Sequence, residues 1–90
     1  MRTSYMKIKI GHEALKALRN VQSAKAPQIR AALDKIALDP SAPNNNVKPL
    51  RGVPHGFRVR IGNWRASYTL DYRGGLMQVF EIAPRQGAYR

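Results

Sequence analysis

Two alternating stretches joined by Gly62-Asn63 constrain the fold of this chain more than any other feature. Phe57, Val59 and Ile61 alternate with Arg58 and Arg60, the two-residue period of a strand with one buried face. Trp64, Ala66, Tyr68 and Leu70 alternate in turn with Arg65, Ser67 and Thr69. Gly62 takes a positive φ without steric penalty, and Asn63 tolerates one better than most residues, so the pair reads as a two-residue hairpin loop. Such a loop pairs Ile61 with Trp64, Arg60 with Arg65 and Arg58 with Ser67. Cross-strand partners share one side of a sheet. Arg58, Arg60 and Arg65 are therefore expected together, opposite the apolar residues. Like charges placed directly opposite one another destabilise a sheet, so a face that gathers them calls for an anion. A bulge at the loop would shift one strand by a residue and undo this arrangement.

The 90 residues suit one small domain, spanning 1–90. With no cysteine, neither a disulfide nor a zinc–thiolate site can staple it. A hydrophobic content of 43% is enough for a core and too high for a disordered basic tail. The formal net charge is +11, whereas about 2–8 charges suffice for solubility. The excess predicts attraction to polyanions such as nucleic acid, the ribosome, an acidic protein or a membrane surface. The acidic residues are only Glu13, Asp34, Asp39, Asp71 and Glu81. No apolar run approaches a membrane span, and Met1 to Met6 lacks the apolar core of a secretory signal. The expectation is a cytoplasmic protein with no membrane partner.

Tyr5 to Ile10 alternates and reads as a first strand. His12 to Val21 places Leu15, Leu18 and Val21 on one helical stripe. Pro27 suits the first turn of a second helix, with Ile29, Leu33 and Ile36 on its apolar face, and Asp39-Pro40 stops it. Ser41 to Pro49 reads as a loop. Phe57 to Ile61, Trp64 to Tyr72 and Leu76 to Ala83 read as three consecutive strands, with Arg73-Gly74-Gly75 turning between the last two. The last strand is apolar on both faces (Leu76, Phe80, Ile82 and Met77, Val79), which predicts a central position. The order is β-α-α-β-β-β. The expected architecture is α+β, an antiparallel sheet with an N-terminal helical hairpin packed on one face and the arginines on the other. Phe57, Trp64, Tyr68 and Phe80 read as core or sheet-packing residues. No His/Asp/Glu cluster has metal-ligand spacing, and no glycine-rich phosphate loop or serine-nucleophile motif occurs. No cofactor or metal is implied.

Leu50-Arg51-Gly52, the run Phe57 to Arg65, and Tyr68 together resemble the signature of the RelE/ParE toxin superfamily. The tail Glu81 to Tyr89, in which Arg85 precedes a tyrosine by a few residues, resembles that family's closing segment. The resemblance covers essentially the whole chain, and its RelE branch is the better match. It implies a toxin of a type II toxin–antitoxin pair that cleaves mRNA on the ribosome without a metal. Carried over position by position, the catalytic set it implies is Arg58, Arg60, Arg65, Arg85 and Tyr89. It also implies a cognate acidic antitoxin, partly disordered until bound, through which operator DNA is a further partner. The ParE branch, with the same fold, implies a DNA gyrase inhibitor that cuts nothing. A third reading is a basic ribosome- or antitoxin-binding module with weak catalysis.

Metal-free RNA cleavage needs a base for the ribose 2′-hydroxyl, cations for the phosphoryl oxygens and an acid for the leaving oxygen. Guanidinium groups suit the second task, being planar, always charged and bidentate to phosphate. Tyr89 would stack on a base or transfer a proton. Several RelE members carry lysine at the positions of Arg58 and Arg60, and arginine, which keeps its proton, is a poor base. His55 is near in sequence, and histidine is a common proton acceptor, but it lies in a turn. The sequence thus offers phosphate holders in plenty and no evident general base.

Overall fold

The computed structural model describes residues 5–21 and 25–84. Strand β1 (Lys7–Ile10) leads through Gly11 into α1 (His12–Arg19), and α2 (Ala26–Leu38) follows. The strands β2 (Val47–Pro49), β3 (Gly56–Ile61), β4 (Trp64–Asp71) and β5 (Leu76–Pro84) complete the order. Pro27 sits in the first turn of α2, where its missing N–H has no helical partner to lose. Asp39 ends that helix with φ −154° and ψ 82°, outside the helical region that the following Pro40 disfavours. Helix α1 stops at Arg19, short of the stripe read from the sequence. Val21 nonetheless stays buried, its N–H bonded to the Leu18 carbonyl at 3.2 Å.

The architecture is α+β, with both helices between the first strand of the sheet and the other four. The strand order is β1-β5-β4-β3-β2. The β2–β3, β3–β4 and β4–β5 pairs are antiparallel, and β1–β5 is parallel. The sheet is therefore mixed and five-stranded, where the sequence suggested an antiparallel one of four. The helices and the meander between β1 and β5 form the long connection that a parallel pair requires. The added strand β2 lies in the expected loop and occupies the sheet's other edge, where proline is tolerated because its missing N–H can face solvent.

Both helices cover one face. Ala14, Ile29 and Leu33 meet Val59, Ala66, Tyr68, Met77 and Val79 there in one buried cluster. Two backbone hydrogen bonds fasten the layers: Gly11 N–H to the Val79 carbonyl at 2.8 Å, and Met6 N–H to the Ala37 carbonyl at 2.7 Å. Phe57 and Tyr68, directly opposite on β3 and β4, stack with centroids 5.8 Å apart.

A β-bulge interrupts the β4–β5 ladder. Tyr68 faces Val79 and Ser67 faces Glu81, so Phe80 is an extra residue. Strict alternation would set Ile82 on the face opposite Met77 and Val79. The bulge instead turns all three into the core, where they are 0%, 0% and 4% exposed. Phe80, expected as a packing residue, is 44% exposed. The double apolar character of β5 thus reflects a register change within a strand that is central, between β1 and β4.

The β3–β4 loop is the two-residue turn expected. Gly62 has φ +60°, and Asn63 is not among the positive-φ residues, which is the φ signature of a type II′ turn. A Cβ on Gly62 would meet nothing within 4 Å, so substitution there strains backbone without crowding. Gly62→Ala is expected to destabilise the fold by about 1–2 kcal/mol, and Asn63→Ala by less than about 0.5 kcal/mol. Thermal unfolding of the two variants checks this asymmetry.

Burial, and secondarily Tyr72, pushes the Tyr68 phenol up from 10.0 to about 12. The folded chain thus holds this proton to a higher pH than the unfolded chain. The resulting stability is fully present below pH 10 and is lost as pH rises toward about 12. Denaturation followed across that window should show the decline, and Tyr68→Phe should flatten it.

Candidate functional site

The sheet face turned away from the helices gathers the cations. On β3, Val59 points inward and is buried, while Arg58 and Arg60 point outward and are exposed. The hairpin register sets Arg60 opposite Arg65 and Arg58 opposite Ser67. Arg65 is half-buried. Strand β2 extends the row, because Lys48 lies opposite Arg58, and the Arg60 N–H donates to the Asn46 carbonyl at 3.0 Å. Asn45, Asn46, Lys48, Arg58 and Arg60 line an open cleft of about 290 Å3. At the opposite edge Lys7 and Lys9 lie opposite Leu76 and Gln78, both exposed and on the arginine side of the sheet.

Two like-charge pairs, Lys48–Arg58 and Arg60–Arg65, therefore face each other across neighbouring ladders. Each destabilises the sheet. Fixed on strands, these groups suit the multivalent grip of a phosphate, which two or more guanidiniums can share bidentately. Arg85 and Tyr89, the other members of the expected set, lie outside the described residues.

The same face holds a carboxylate that reading the sequence missed. Glu81 is exposed, and the hydroxyl of the buried Ser67 donates to its Oε1 at 3.2 Å. Alternation from Met77 and Val79 would aim Glu81 at the core; the extra residue Phe80 brings it out beside the arginines. Lys48 was missed for a different reason, since it lies on a three-residue strand containing proline. Its one local signal was the Val47-Lys48-Pro49 alternation just ahead of Leu50-Arg51-Gly52.

His55 stands in the turn before β3 with φ +57°, an uncommon conformation for histidine. Its carbonyl accepts the Leu70 N–H at 3.0 Å, so it closes the end of the hairpin remote from Arg60 and Arg65. Among the described residues no three His, Asp or Glu side chains come together as a metal site. No helix among them is long and apolar enough to cross a membrane.

No family model matches this chain. It is 24% identical over 84 residues, 92% of this chain and 93% of the relative, to a Methanocaldococcus jannaschii protein named "Putative toxin RelE1". Its fold matches a crystal structure of an archaeal RelE–RelB complex from Pyrococcus horikoshii with a TM-score of 0.77 at 23% identity, covering 94% of this chain and 99% of that one. The intact E. coli RelBE toxin–antitoxin complex matches with a TM-score of 0.75 at 20% identity, covering 91% and 98%.

As a basic face fixed on strands, the cation row is expected to hold a polyphosphate probe, for which a single-stranded oligonucleotide serves, with a salt dependence set by its phosphate contacts. Arg58→Ala or Arg60→Ala is expected to reduce the slope of log affinity against log salt by about 0.7 per lost contact. Substituting Lys25, exposed at the start of α2, should leave the slope unchanged. Titration of a labelled oligonucleotide at several salt concentrations measures both.

Proposed function

Taking as premise that the chain is RelE-like in fold and in sequence, we propose that it is the toxin of a toxin–antitoxin pair and acts as a ribosome-dependent mRNA endonuclease. The observation that carries the reading is the outward row of Arg58, Arg60 and Arg65, fixed by the β3–β4 register. In this reaction the ribose 2′-oxygen attacks the adjacent phosphorus. Arg58, Arg60 and Arg65, with Arg85 from the C-terminal segment, stabilise the charge that grows on the phosphoryl oxygens. Positioned donors of this kind act more strongly in the transition state than in the ground state. Tyr89 stacks on a base or transfers a proton. The ribosome presents the mRNA, and the surplus of positive charge draws the protein to it.

The partner that silences the toxin is an acidic antitoxin, complementary to a net charge of +11. The complexes of the similar RelE proteins with RelB support this reading. Arginine at positions 58 and 60 favours one competing reading, a ribosome-binding module without cleavage, since it supplies phosphate binding and no base.

Purified protein added to a translating extract should cut mRNA at mapped positions. Arg65→Ala and Arg85→Ala should each lower the rate by about 10²–10³ while the fold is retained. Intact mRNA during active translation would reject the endonuclease. Ribosome binding without new mRNA ends would identify the module, and gyrase poisoning with mRNA spared would identify an inhibitor of the ParE kind.

A further inference from the structure

The arginine row lacks a group that can take a proton, and the fold brings one to it. We propose that Glu81, oriented by Ser67, is the proton acceptor for the ribose 2′-hydroxyl, a role that rests on the endonuclease reading above. Three observations converge on it. First, the bulge at Phe80 serves to turn Glu81 out of the core; without the extra residue its side chain would follow Met77 and Val79 inward. Bulges that re-aim one side chain in this way are frequent beside active sites. Second, Glu81 lies in the same transverse row as the cations, Lys48–Arg58–Ser67–Glu81. It stands two strands, about 10 Å, from Arg58 and on the diagonal from Arg65, about 7–8 Å. That spacing leaves room for a phosphate held by guanidiniums with its ribose toward the carboxylate. Third, the buried Ser67 hydroxyl donates to Oε1 at 3.2 Å, which fixes the carboxylate and leaves Oε2 for the substrate.

The other candidates on this face fit less well. Asp71 lies at the far end of β4 and accepts the Gly74 N–H at 3.0 Å. Lys48 as an ammonium has no lone pair to receive a proton.

In the step, the 2′-hydroxyl gives its proton to Glu81 and its oxygen forms the bond to phosphorus. The bond from phosphorus to the 5′-oxygen breaks with its electron pair, and that oxygen takes a proton from solvent water. The products are a 2′,3′-cyclic phosphate and a 5′-hydroxyl end, and Glu81 returns its proton to solvent.

Glu81→Gln tests this in the translating system, because the amide oxygen still accepts from Ser67 while the proton acceptor is gone. The variant is expected to cut about 10²–10⁴ times more slowly, with the acid limb of the pH–rate profile lost. Ribosome binding should be equal or tighter, since one negative charge has left a basic face. Ser67→Ala, a positioning variant, should lose about tenfold in kcat and keep the acid limb. Wild-type kcat in Glu81→Gln would overturn the role while leaving the endonuclease reading intact. A fall in kcat matched by weaker ribosome binding or a lower melting midpoint would mark a structural role and overturn it as well. Failure of the wild-type chain to cut would reject the endonuclease reading, and this role with it.

Discussion

The register of the β3–β4 ladder is the constraint on which the rest of the structure depends. Side chains on a strand alternate with a period of two, so a one-residue slip would exchange the buried set for the exposed set. Here Gly62 at φ +60° closes the loop in two residues and fixes Ile61 against Trp64. Val59, Ala66 and Tyr68 then belong to the core, and Arg58, Arg60 and Arg65 to the open face. One glycine thus determines both what the helices pack on and where four residues of like charge, counting Lys48, are held together. The repulsion among them is tolerated because the apolar side of the same strands is well buried.

The open face is assembled from strands that are not equivalent. β3 and β4 supply the arginines, β2 adds a lysine at the edge, and β5 adds the carboxylate by means of its bulge. A fold of this class supports more than one activity, and the difference lies in such grafted positions. Arginine at 58 and 60 suits the row to phosphate binding more than to proton chemistry. The Ser67–Glu81 pair is a local feature of the opposite chemical character, an acceptor amid donors.

What the sequence disclosed follows the range of the interactions involved. The Gly62-Asn63 turn, the arginine register, Pro27 at the start of α2 and Asp39-Pro40 at its end are local, and each was legible from a few neighbouring residues. The β2 strand was not, because Val47-Lys48-Pro49 is short, and its pairing needs the β3 edge already in place. The parallel β1–β5 pair joins the two ends of the described chain, and no local pattern encodes its direction. The bulge belongs to two strands at once. Apolar residues at Val79, Phe80 and Ile82 leave open which of them faces outward, so the pattern alone points Phe80 to packing and hides Glu81.

The place of β5 has a consequence for how the molecule comes into being. It is the last strand of the described chain and the only one that pairs with β1, and α1 rests chiefly on it. Strand β1 and helix α1 therefore wait for the last strand of the described chain before they acquire a floor. Long-range pairings of this sort slow the search for the native state. The β3–β4 hairpin, by contrast, needs only its own turn. During synthesis the nascent chain thus possesses its cations early and its finished surface late, and the acidic side chain at position 81 arrives with the strand that completes the sheet.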